Sequence, residues 1–163
     1  MEKLGFRMYG LVNYQLTGIQ KGIQFGHAVV KYGQMVKKLG GSVLENYNNW
    51  ADNHQTFIIL DGGSTNRKTI GKGDLNTHLD KFKDNGIICA EFYEPDLGDQ
   101  LTAFVFLVDE RAYNRRIYPD YKQNYFLKFI PKEIDLNYKI WKKKIGNENV
   151  FLRENLPKFK LAF

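Results

Sequence analysis

Cysteine, proline, histidine and long apolar runs are all scarce in this chain. Its single cysteine, Cys89, cannot form an internal disulfide, which excludes a disulfide framework of the kind small secreted domains use. Cys89 lies in the apolar stretch Ile87–Ala90, where a buried and unreactive thiol is expected rather than a nucleophile. No apolar run is long enough to cross a bilayer, and the opening MEKLGFRMYG lacks the basic-then-apolar order of a signal peptide. The expectation is a soluble protein of a reducing cytoplasm with no membrane partner. The three histidines, His27, His54 and His78, share no metal-ligand spacing, and neither a Ser-His-Asp pattern nor a nucleotide-binding glycine fingerprint is present. No metal and no cofactor are expected.

A chain of 163 residues holds one ordinary domain, here read as residues 1–110 with an extension over 111–163. The charge divides at that boundary. Residues 1–110 carry eleven Lys/Arg against thirteen Asp/Glu, whereas residues 111–163 carry thirteen against five, so the whole excess of the net +6 lies in the last third. Such asymmetry points to an anionic partner, nucleic acid first, with a lysine-rich solvated surface as the plainer alternative. In the extension, prolines at 119, 131 and 157 separate short pieces in which Tyr, Phe and Trp alternate with Lys and Arg. That pattern suits an unpaired RNA, because rings stack on bases while cations hold phosphates; it equally suits rings that clamp the extension to the core.

RMYGLVN at 7–13 reads as a first strand. Thr17 with Gln20 three residues later makes a capping box, so a helix is predicted over 18–39, ending at Gly40-Gly41. QTFIIL at 55–60 reads as a strand buried on both faces. The loop DGGSTNRKTIGKG has backbone NH groups and three cations that would suit a phosphate, without P-loop spacing. Asp74 is the expected N-cap of a second helix whose Leu75, Leu79 and Phe82 form an apolar stripe, with His78 facing solvent. IICAEFYE and LTAFVFLVD then form a hairpin. The order strand, helix, strand, helix, strand, strand implies an α/β fold with a mixed four-stranded sheet, helices packed on it, and a basic aromatic C-terminal extension.

On a wheel centred on His27, Gln20, Gln24, Lys31, Gln34 and Lys38 fall within about 60° and form one polar face. Phe25, Ala28, Val29, Tyr32, Val36 and Leu39 lie opposite as the expected core face. Gly22, Gly26 and Gly33 make a third strip, which implies close approach of another backbone. By physics alone His27 is an exposed, ordinary histidine.

Its spacing changes that reading. Gln24-Phe-Gly-His27-Ala28, following a strand ending Leu11-Val12-Asn13, resembles the helix signature G-K-x-x-x-Q-x-x-H-A of the type 2 peptidyl-tRNA hydrolases. EPDLGDQLTA at 94–103 resembles the stretch where that family carries an aspartate and then threonines, and is closer still to shorter hydrolase-like proteins of bacteriophages. The resemblance covers residues 7–109. It implies hydrolysis of the ester between a peptide or blocked amino acid and the tRNA 3′ end, with tRNA or another RNA as partner. It further implies His27 as the base, Asp96 ahead of Glu94 and Asp99 as the carboxylate that fixes its tautomer, and Gln24 and Thr102 as substrate contacts. Where the family carries lysine, seven residues before the histidine, this chain has Gln20; Lys21 beside it and Lys31 on the face of His27 are the candidate cations for the developing oxyanion. The rival expectation is a noncatalytic RNA- or protein-binding module on the same fold, such as a phage accessory factor. Homodimerisation stays open.

Overall fold

A computed structural model describes residues 4–67, 71–123 and 129–163. The chain runs β1 (Phe6–Val12), α1 (Gly18–Leu39), α2 (Gly41–Asn53), β2 (Phe57–Asp61), β3 (Asn66–Arg67), β4 (Gly71–Lys72), α3 (Asp74–Asp84), β5 (Cys89–Glu94), β6 (Gln100–Asp109), α4 (Glu110–Tyr113), α5 (Leu136–Ile145) and α6 (Asn147–Asn155). The fold is α/β. The main sheet has the order β2-β1-β6-β5, with β1 and β2 parallel and both β1–β6 and β5–β6 antiparallel. It is therefore mixed, as expected from two crossover helices followed by a hairpin.

Side chains alternating along the central strands feed two cores. Met8, Val12, Ala103 and Val105 face α1 and α2, meeting Phe25, Ala28, Tyr32, Val36 and Trp50. Leu11, Phe104, Phe106 and Val108 face the other way, against Leu75, Leu79 and Phe82 of α3 and Phe151 and Leu152 of α6. The extension thus contributes to the same core as residues 1–110. Its docking is polar as well as apolar: Asn149 donates to Asp109 Oδ2 at 3.0 Å, and Lys81 donates to Asn155 Oδ1 at 2.8 Å.

Helix α1 has the predicted bounds because its signals are local. Thr17 accepts from the Gln20 amide at 3.3 Å and Gln20 Oε1 accepts from the Thr17 amide at 3.0 Å, completing the capping box. Six expectations change. The segment between α1 and the second strand, for which the predicted element order has no helix, is mostly helix α2, held by Trp50 and Tyr47 packed with tilted rings against Phe57 and Tyr32. Strand β2 lies at the sheet edge with Phe57 half exposed; its outer side is covered by the chain's own last residues, where Asp61 N donates to Lys160 O at 2.9 Å and Ala162 N donates to Ile59 O at 3.0 Å. Gly73, not Asp74, caps α3, and Asp74 is the first residue inside it. A Cβ on Gly22 or Gly26 would meet nothing within 4 Å, whereas on Gly33 it would lie 2.7 Å from the Tyr47 hydroxyl, so the glycine strip borders solvent and one side chain rather than another backbone. Leu39 is exposed rather than core.

The remaining correction carries a pH dependence. His78 is half buried, edge-on to Phe159 at 4.9 Å, and burial lowers its pKa from the ordinary 6.5, with Asp74 opposing and Lys81 reinforcing the shift. The native state therefore binds this proton less well than the unfolded chain. Stability contributed by neutral His78 is present above pH 6.5 and is lost as pH falls towards the lowered native value. His78→Gln is expected to flatten the fall of the urea midpoint between neutral pH and about pH 5, measured by parallel denaturation series. A slope identical to that of the unaltered protein would remove His78 as its source.

Candidate functional site

The polar residues expected to form one site divide between the two edges of the sheet. Lys21 is buried, on the stripe with Phe25, Ala28 and Tyr32, and its ammonium donates to the main-chain oxygen of Phe163 at 2.8 Å, beside the β2 edge. His27 lies at the other edge: its exposed ring stacks on Phe92 of β5 with centroids 4.6 Å apart and 17° between planes. The Lys31 ammonium, one turn later, stands 5.2 Å from the centre of that same ring. His27 and Lys31 therefore share an aromatic platform, from which Lys21 is turned away.

Beneath the platform runs a hydrogen-bonded chain. Thr102 Oγ1 donates to Gln24 Oε1 at 2.6 Å, and Gln24 Nε2 donates to Glu94 Oε2 at 2.6 Å. Both Thr102 and Gln24 are buried, so each needs the other for its polar atoms. The sheet makes this meeting through a bulge. The β5–β6 register shifts between Phe92 and Tyr93, which pair with Ala103 and Leu101 in succession and leave Thr102 as the unmatched residue. Bulges re-aim side chains, and here the hydroxyl is aimed at α1.

The aspartates stand apart. Asp96 is exposed in the short 3₁₀ turn Pro95–Leu97, and Asp99 is exposed with a left-handed φ of 55°. Among the described residues neither carboxylate has a hydrogen-bond partner, and none is hydrogen-bonded to His27. Glu94 is the hairpin carboxylate that reaches the chain, one residue before the turn that carries Asp96 outward. Gln20 is exposed and serves the capping box.

A second, separate polar group joins the end of β1 to the loop after β2. Asn13 Nδ2 donates to Thr65 Oγ1 at 2.6 Å, and Thr65 Oγ1 donates to Leu101 O at 2.5 Å. Asn13, Ser64 and Thr65 are all buried, and no reading of motifs pointed to Ser64 or Thr65. The loop expected to suit a phosphate lies only partly within view, since residues 68–70 are outside the described residues, as are 124–128 of the basic extension. Cys89 is buried, and burial pushes its thiol up to about 12, which makes it a poor nucleophile. Among the described residues no cluster of His, Cys, Asp or Glu could hold a metal ion, and no helix is long and apolar enough to cross a membrane.

No protein-family model matches the sequence, and no curated protein matches it.

Proposed function

We propose that the chain is a type 2 peptidyl-tRNA hydrolase-like protein that cleaves the ester joining a peptide or blocked amino acid to the 3′ end of tRNA. The observation that carries this reading is the arrangement at the β5 edge: an exposed imidazole and an exposed ammonium stand over Phe92 beside the buried chain Thr102–Gln24–Glu94. The four-stranded mixed sheet with helices packed on it supports this reading at the level of fold class. In the reaction a water oxygen bonds to the acyl carbon, the bond from that carbon to the ribose oxygen breaks, and the water's proton passes to the leaving ribose hydroxyl. His27 takes the proton from water and returns it, as a general base and then acid. Lys31 faces the oxyanion that forms between those steps, a contact worth about 3 kcal/mol. Gln24, whose Oε1 accepts from Thr102 and one of whose amide hydrogens goes to Glu94, has its second amide hydrogen left for the acyl chain.

A second reading rests on two specific observations. His27 has no carboxylate partner among the described residues, and Lys21 is committed to Phe163 at the far edge. Both favour a noncatalytic RNA-binding module on this fold. The readings part in one assay, release of an N-blocked amino acid from its tRNA ester. Release proportional to protein concentration is the expected result. RNA binding without release would leave only the binding module.

A further inference from the structure

The groove that opens beside His27 holds a charge pattern that the ester chemistry alone does not use. Between α1 and the edge strand β5 lies an open groove of roughly 700 Å³. Its rim carries Lys31 and Lys38 from α1 and Lys83 from α3, and its floor carries Met35, Ala90 and Tyr93. Among the described residues one of these cations is ion-paired: Lys83 donates to Glu91 Oε1 at 2.8 Å, and both groups keep partial exposure. The rim is therefore left with two uncompensated positive charges. Lys31 belongs both to this rim and to the Phe92 platform under His27, so the groove starts where the ester would lie. From Lys31 to Lys38 it follows α1 for two turns, about 10 Å at the helical rise.

We propose that this groove is the track for the single-stranded 3′ end of the RNA, with phosphates on Lys31, Lys38 and Lys83 and a base resting on Tyr93 and the apolar floor. The proposal rests on the reading of His27 as the centre acting on an RNA ester. In an acylated RNA the strand leaves the ester in one direction, and a groove lined by cations together with Met35, Ala90 and Tyr93 matches that strand in charge and in surface. The extension matches it less well. Its rings pack on one another, Tyr121 edge-on to Tyr138 at 5.2 Å and Tyr138 stacked on Trp141 at 5.7 Å, and the Trp141 indole NH is held by Pro119 O.

The test uses the full chain and a short fluorescent single-stranded RNA with a free 3′ end, followed by anisotropy across a salt series. Lys38→Ala and Lys83→Ala together are expected to weaken binding about tenfold at low salt and to reduce the slope of log affinity against log salt by about 0.7 per lost phosphate contact. Lys38→Arg should restore the loss, and Glu91→Gln should tighten binding. Both lysines are solvent-facing, so the fold is not at risk. Unchanged affinity in the double variant, or a loss that appears only when Lys139 and Lys143 of the extension are replaced, overturns the groove while leaving the ester reading intact if hydrolysis persists. Lys38-dependent RNA binding by a protein without hydrolysis upholds the groove and removes the ester reading. Lys38-dependent binding of a polyglutamate peptide with no binding of RNA overturns the groove as an RNA track.

Discussion

His27→Ala is expected to lower the release of N-blocked amino acids from tRNA by about 10²- to 10⁴-fold and to leave the fold in place. The second half of that expectation comes from the position of the ring. His27 is exposed, touches the protein by stacking on Phe92, and gives no hydrogen bond to any described residue, so its removal strands no buried polar atom. Surface changes of this sort stay within about 0.5 kcal/mol of the starting stability. A loss of rate with an unchanged melting temperature would therefore be a loss of chemistry. It should fall on kcat, with KM nearly unchanged, because a base acts in the transition state rather than in binding. Thr102→Val provides the contrasting case: Thr102 is fully buried, and its loss leaves Gln24 Oε1 without its donor, which costs about 1–3 kcal/mol of stability as well as activity. If His27→Ala turns over at the original rate, the proton is moved by another group and the family-like spacing around it has no catalytic meaning here.

The spacing that drew attention to His27 was legible because it is local to one helix. The same holds for the bounds of α1, where Thr17, Gln20 and Gly40 announce both ends within a few residues. Lys21 was legible too, although its neighbour Gln20 concealed it. Four and seven residues before Phe25 and Ala28, it falls on the buried stripe, and a wheel drawn from Phe25 rather than from His27 places it there. What it binds was not legible, since Phe163 lies 142 residues away in sequence. Which hairpin carboxylate reaches α1 was not legible for a related reason. Glu94 and Asp96 are two residues apart and chemically alike; only the turn that begins at Pro95 decides that one points under α1 and the other into solvent.

Helix α2 carries its own signal, since Val43, Leu44, Tyr47, Trp50 and Ala51 recur at helical spacing and pack on one core, but the Gly40-Gly41 pair at its start reads as a stop. The edge position of β2 depends on long-range packing. The stability of α2 comes from rings on other elements, a tertiary effect that outweighs the glycine pair at its start. For β2, the run FIILD has the composition of a central strand, and what covers its outer side is the chain's last residues, which no local signal connects to it.

Replacing Arg153 by methionine is expected to destabilise the protein by about 3 kcal/mol, seen as a lower urea midpoint with an unchanged slope. Arg153 is buried in α6, and its guanidinium ties the helix to α4 and to residues 118–120 through three acceptors. Nε donates to Arg111 O at 2.7 Å, Nη1 to Asp120 Oδ1 at 2.8 Å, and Nη2 to Tyr118 O, while the group lies 5.8 Å from the Trp141 ring. Asp120 is half exposed and can return to water, so the cost falls on the two carbonyl groups and on the packing of a long stem. Lysine is not expected to rescue, because one ammonium cannot reproduce the fork that spans three acceptors. An exposed cation such as Lys143 should be replaceable within about 0.5 kcal/mol. The same contacts decide how the basic extension can be studied. Cutting the chain at residue 110 would remove Phe151 and Leu152 from the core and Arg153 from its acceptors, and would strip the cover from β2. A shortened protein would then lose RNA binding by unfolding, so the positive charge of residues 111–163 is accessible only through single exposed lysines. Unaltered stability of Arg153→Met would mean that α6 docks through Phe151 and Leu152 alone, and would make the truncation a usable experiment after all.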